Sequence, residues 1–242
     1  MVPISVALGL GSALLISSLR IGGELYKAVF FLPVMATLLA MAIVWEFALN
    51  PIVGVVNDML RSGCDITWVH SLLTGSWLGS DPTISWYGAA CIKKFPLWLG
   101  NKQYALGTIA FIGIWQGFGF NMVLYLAGLT SVPRELYQAA HMDGADSAWE
   151  RFKLVTWPML GPTTLFVVTI TTIRSFQVFD TIEILTKGGP AKTTYVMMYA
   201  IFEKAIQQNI TSIGAAITVV FIIFIILLTF FQRYVIEKRV HY

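Results

Sequence analysis

This chain has little charge. Asp, Glu, Lys and Arg make up 12% of its 242 residues while hydrophobic residues make up 57%, against roughly 25% and 45–50% in soluble domains. That balance excludes a water-soluble globular protein. Alternation at strand period is missing as well, and the apolar runs are too long and unbroken for a membrane β-barrel. The two cysteines, Cys64 and Cys91, are too few for a disulfide framework. The three histidines, His70, His141 and His241, lie far apart, and none has a ligand-type partner three or four residues away, so the sequence offers no metal-binding constellation. "GLGSA", residues 9–13, lacks the Gly-Lys-Ser/Thr ending of a phosphate-binding loop. With a net charge of +3 and no basic tract, nothing points to nucleic acid.

Long apolar windows are what the chain does have. A bilayer core about 30 Å thick takes roughly 17–25 apolar helical residues to cross, and five windows qualify: 2–19, 28–45, 104–130, 160–179 and 210–231, with Arg174 the one charge inside them. Backbone groups in lipid must pair within their own segment, so each window reads as a helix. The fold class is all-α, a polytopic transmembrane helical bundle of about five spans in a single domain, 1–242. A secretory-signal reading of the first window wants a positively charged start, whereas only Met1, Val2 and Pro3 precede Ile4. Such an abrupt entry into a span leads us to expect a further segment upstream.

With five spans the connections alternate between the two sides. One side takes Arg20, Lys27, Arg134, Arg151, Lys153, Arg233, Lys238 and Arg239; the other takes Arg61, Lys93, Lys94, Lys102, Lys187, Lys192 and Lys204, spread over longer loops. The denser set marks the cytoplasm, which places residues 131–158 and the C-terminus inside. The long external loop, 49–103, carries Trp68, Trp77, Trp86 and Trp98, suited either to lying in the membrane interface or to docking an external partner. Cys64 and Cys91 fall in the same loop, and pairing and free thiols are both open. A second external loop, "FDTIEILTKGGPAKTT", turns sharply at Gly188-Gly189-Pro190, after which Thr193 or Thr194 is placed to cap a helix through "YVMMYAIFEKAI".

The stretch "QAAHMDGADSAWERFKLVTWP", residues 138–158, is rich in charge between apolar runs. Pro133 suits the first turn of a helix that residues 134–142 propagate, and Asp143-Gly144 ends it. Ser147-Ala-Trp-Glu150 spells a capping box that starts a second helix, and Pro158 is expected to stop that one before the next span. Leu136, Ala139, Ala140 and Asp143 fall on one face, where small side chains permit close approach. Packing on the chain's own bundle and docking to a partner both fit this face. A DNA-reading helix-turn-helix does not, because the loop is tethered at both ends and lacks excess positive charge.

The run Pro133-Arg-Glu-Leu-Tyr-Gln-Ala-Ala-His-Met-Asp-Gly-Ala, with "RF" at 151–152 and "TWP" at 156–158, resembles the EAA loop of permease subunits of binding-protein-dependent ABC importers. "FFLPVMATLLAMAIVWEFALNP", "IWQGFGFNMVLYLAGLTSVP" and "FDTIEILTKGGPA" extend the resemblance over residues 27–242 to the carbohydrate branch. "WPMLGPTTLF" and "EKRVHY" look most like the permeases of sn-glycerol-3-phosphate importers. Two departures stand out: Gln138 where the loop usually has Glu, and one residue more than usual between Gly144 and Val155. The resemblance implies a bacterial inner-membrane subunit that works with a second permease subunit, an ATPase subunit dimer and a periplasmic substrate-binding protein. It implies no enzyme activity and no cofactor bound by this chain, ATP and Mg being used by the ATPase. It further implies that Glu135, Gln138, Ala139, Ala140, Asp143, Gly144, Ala145, Phe152 and Pro158 form the contact with that ATPase. Family members have six spans, which agrees with a missing first one.

For a path through the membrane the candidates are Gln116, Asn121, Arg174 and Gln177. An intramembrane arginine is either a partner for an anionic cargo or a side chain long enough to reach the far interface. The three amides are either path residues or hydrogen-bonding ties between helices. The rival from another class, a carrier driven by an ion gradient, would be expected to bear intramembrane carboxylates or repeated broken helices, and the sequence has neither.

Overall fold

The computed structural model of the chain describes residues 1–19, 22–64 and 97–237, and among them contains helices and turns only. The helices are α1 (Val2–Ser18), α2 (Gly23–Met35), α3 (Leu38–Ala48), α4 (Val55–Cys64), α5 (Ala105–Thr130), α6 (Arg134–Met142), α7 (Ala148–Arg151), α8 (Trp157–Met159), α9 (Gly161–Phe176), α10 (Asp180–Leu185), α11 (Met197–Phe202) and α12 (Thr211–Glu237). All five apolar windows are helical, so the all-α class holds. They are not five equal spans. Ala105–Thr130, Gly161–Leu185 and Thr211–Val235 are each long and apolar enough to cross a membrane, whereas α1 is a shorter apolar helix.

The window 28–45, expected as one span, is two helices. Pro33 lies inside α2, which ends two residues later at Met35. Proline has no N–H for the ladder and its ring crowds the carbonyl four residues back, so the turn leading up to it is weakened. Thr37 then restarts the helix as N-cap of α3, its hydroxyl accepting from the Ala40 N–H at 3.3 Å. The carbonyl of Ala36, left outside both helices, accepts from the Gln116 side-chain amide at 3.4 Å.

Contacts divide the chain into two compact units. The first, Met1–Ala36, Phe111–Val178 and Ala200–Tyr242, is built round Ala13, Ile16, Met122, Tyr125, Leu160 and Val167. Helix α1 buries the stripe Ser5, Gly9, Ala13 and Ile16. A Cβ on Gly9 would sit 2.6 Å from the Asn121 Cβ, so the bare glycine is what lets α1 lie against α5. Helix α9 packs against α1 on one side and α12 on another, where Phe176 meets Phe224 edge-on at 5.4 Å.

The second unit, Thr37–Ala110 and Phe179–Tyr199, packs α10 on α3. Trp98 is the one tryptophan of the long external loop within the described residues apart from its ends; its indole N–H donates to Asn57 Oδ1 at 2.8 Å, and Asn57 in turn donates to the Asn50 carbonyl. The other three tryptophans of the loop, the pairing of Cys64 with Cys91, His70 and His241 lie outside what is described. The Gly188-Gly189-Pro190 turn is present, with positive φ at Lys187, Gly188, Ala191 and Lys192. Thr193 and Thr194 do not cap α11. Their hydroxyls bond back to the carbonyls of Pro190 and Gly189 at 2.7 Å, and the helix starts later at Met197.

Candidate functional site

The loop between α5 and α9 folds as helix, corner, helix. Pro133 is the N-cap of α6, one place before its first helical residue, and Asp143 is its C-cap. Gly144 follows at φ +89°, its N–H donating to the His141 carbonyl at 3.0 Å, and the Ala145 N–H reaches the Ala140 carbonyl at 2.9 Å. This pair of bonds is a Schellman ending, which brings the side chains of Ala140 and Ala145 together. Both are buried, in a small core with Val132 and Val155 and with Tyr137 packed against it. Tyr137 also bonds Thr156 through its hydroxyl at 3.0 Å, so α6 is clamped to the chain that follows it.

That clamp corrects the expected face. Ala140 points inward, and the outward stripe is Glu135, Gln138, Ala139 and Met142, at i, i+3, i+4 and i+7, one residue earlier in register. Met142 is 88% exposed, the most exposed large apolar side chain among the described residues. The sequence held the signal: a Schellman corner calls for an apolar contact between the residue after its glycine and the third from the helix end, which fixes Ala140 inside. Leu136 and Asp143 remain exposed beside the stripe.

The second half starts as expected. Ser147 Oγ accepts from the Glu150 N–H at 3.0 Å and Glu150 Oε2 accepts from the Ser147 N–H at 3.1 Å, a complete capping box. The Ser147 amide, and then its hydroxyl, hold the Glu150 carboxyl below the ordinary glutamate value. His141 Nδ1 and Asp146 Oδ1 face each other across the corner at 3.4 Å, both exposed. Pro158 does not stop the helix. Residues Phe152–Thr156 widen into a π-turn, in which the Trp157 N–H reaches the Phe152 carbonyl, and helix continues as α8. A wider turn relieves the crowding that proline imposes on the carbonyl behind it. Phe152 is stacked on Trp149 at 5.5 Å and tilted against Trp157 at 6.1 Å, and both tryptophans are exposed.

Within the membrane segments, the four polar candidates do not all face one way. Asn121, 2% exposed, gives its amide N–H to Ser5 Oγ and receives the Thr171 hydroxyl on Oδ1, both at 3.0 Å, tying α1, α5 and α9. Gln232 of α12 bonds the neighbouring Thr172 at 2.9 Å. Arg174, one turn beyond Thr171 on α9, is exposed, its guanidinium 4.0 Å from the centre of the Phe120 ring. Gln177, exposed, is one turn beyond it, and Gln116 is one turn from Phe120. An arginine at mid-bilayer costs about 2.5–3.5 kcal/mol, and a cation–π contact returns about 0.5–2 kcal/mol. A contact with Phe120 therefore falls short of what Arg174 would cost at mid-bilayer.

Residues 5–242 match the family of binding-protein-dependent transport system inner membrane components. The chain belongs to that family. It is thus a permease component of an ABC importer in the inner membrane, and the gradient-driven carrier is set aside. This permease is 29% identical over 240 residues to the sn-glycerol-3-phosphate transport system permease protein UgpA of Agrobacterium fabrum, a match covering 98% of this chain and 72% of that protein. It is 26% identical over 231 residues to a probable starch degradation products transport system permease protein, AmyD, of Thermoanaerobacterium thermosulfurigenes, covering 96% and 68%. Its fold is that of a bacterial ABC transporter involved in the import of the acidic polysaccharide alginate, with a TM-score of 0.73 at 23% identity, over 98% of this chain and 72% of the other.

Proposed function

We propose that this permease is one of two transmembrane subunits of an ATP-driven importer, and that it carries sn-glycerol-3-phosphate or a related sugar or polyol. The outward stripe Glu135, Gln138, Ala139 and Met142, on a helix clamped from behind by Tyr137 and Ala140, carries the reading. A rigid short helix with a small residue and a bare methionine facing out suits a socket in an ATPase subunit. Gly144, Ala145, Phe152 and Pro158 set the angle at which that helix is presented, and Asp143 borders it. Residues 131–158 and the C-terminus lie in the cytoplasm, ATP and Mg are held by the ATPase dimer, and a periplasmic binding protein delivers cargo. Gln116, Arg174 and Gln177 border the cargo path, with Asn121 fixing the helix spacing beside it.

ATP closing the ATPase dimer would draw paired coupling helices together and favour the outward-open pore; hydrolysis would reverse it. Moving such an equilibrium from 1:99 to 99:1 takes about 5.5 kcal/mol of differential interaction. The test is co-purification, in mild detergent, of the chain with its ATPase and second permease. Met142→Glu, at a solvent-facing position, should lose the ATPase while the second permease stays bound. Gly144→Arg should lose it too, since the position is open in space and only the positive φ resists a side chain. Undiminished ATPase in both variants would sink the coupling assignment.

A further inference from the structure

We infer that Arg174 selects anionic cargo, so that the permease itself, besides any binding protein, discriminates a phosphate- or carboxylate-bearing sugar or polyol from a neutral one. The inference rests on the importer reading above and deepens it. Three observations place the guanidinium for this role. The contact with Phe120 is made through the flat face of the ring system, 4.0 Å from the centroid, while the five N–H donors of a guanidinium lie in its own plane and stay free for a ligand. Among the described residues no carboxylate is paired with Arg174, whose described contact is the Phe120 ring. The rotation of α9 about its axis is fixed by Thr171, one turn before Arg174, which bonds Asn121, and by Thr172, which receives Gln232. That seam holds the Arg174 backbone in place beside Phe120.

The planar fork of arginine matches a phosphate or a carboxylate with two parallel hydrogen bonds. Gln177, one turn on and exposed, adds an amide for a hydroxyl of the same cargo. A lipid phosphate offers Arg174 the same chemistry as a cargo phosphate, and the experiment has to separate the two.

The assembled transporter, this chain with its second permease, ATPase subunits and binding protein, is reconstituted in vesicles. ATP-dependent uptake is measured for sn-glycerol-3-phosphate, a uronate oligosaccharide and neutral maltose, with wild type, Arg174→Gln and Arg174→Lys. The wild type is expected to carry an anionic probe. Arg174→Gln should lower that uptake about 10- to 100-fold, as for loss of one charge-assisted contact, with the ATPase still bound, and Arg174→Lys should recover part of it. Undiminished anion uptake by Arg174→Gln overturns this inference alone, as does a wild type that carries only maltose. If Arg174→Gln instead loses the bound subunits along with all uptake, the arginine is a lipid anchor and the inference falls. Uptake of none of the probes by the wild type would remove the cargo reading and this inference with it.

Discussion

Gly144 turns the chain at φ +89° with open space where a side chain would be, so the reason for glycine there is conformational and not steric. That much was legible in "HMDGADS", because an Asp-Gly after a helical run is the usual place for a left-handed residue. The capping box three residues later was equally legible, being written in local hydrogen-bonding chemistry. It also carries a pH dependence. Glu150 is held below the ordinary glutamate value of 4.5 by the Ser147 amide and hydroxyl, so protonating it is harder in the capped helix than in the open chain. The cap is therefore fully formed above that value and fades as pH falls through the lowered one. Amide hydrogen exchange at Ser147 and Glu150, corrected for intrinsic rates, should stay slow from neutral pH to about 4.5 and accelerate below it. The change should vanish in Glu150→Gln, which has no carboxyl to titrate, and an unchanged profile in that variant would count against Glu150 as its source. Whether the face of Leu136, Ala139, Ala140 and Asp143 packs inward or docks is open in the sequence, since Ala139 and Ala140 are indistinguishable until the corner's own contact with Ala145 buries Ala140.

At the scale of elements, each break in a membrane helix leaves backbone groups to be satisfied from elsewhere. Pro33 made the weakness of the window 28–45 visible in sequence, but the side chain that compensates for it, Gln116, lies far along the chain, at 3.4 Å from the Ala36 carbonyl. Gln116→Leu should lower stability by about 1–3 kcal/mol, the cost of leaving that carbonyl without a partner, read as a lower unfolding temperature of the detergent-solubilised protein. A glutamate there would not rescue it, because a carboxylate has no N–H to give. The π-turn before Pro158 is the opposite case, a break repaired within its own element by widening one turn. Polar residues inside apolar helices followed the same division: Asn121 is consumed by Ser5 and Thr171, whereas Arg174 meets only an aromatic face among its described contacts.

For the whole molecule, orientation is the property on which coupling depends. With Cys64→Ser and Cys91→Ser as background, a cysteine replacing Ala139 should react with a membrane-impermeant maleimide only from the cytoplasmic side, and one replacing Lys192 only from the outside. Labelling of both from one side would contradict the alternating topology. Sequence by itself determined the class and the places where the chain must leave the bilayer, because the cost of unpaired backbone and charge in hydrocarbon is large and depends only on composition along the chain. It also determined the helix, corner, helix pattern at 134–158, whose rules reach no more than a few residues. Which face of that pattern looks outward, which amide ties helices and which stands free, and where a proline is tolerated were decided by tertiary structure alone. Each depends on a partner brought from a distant part of the sequence, such as Ser5 to Asn121, Gln116 to Ala36 and Phe120 to Arg174, and no local pattern records who that partner will be.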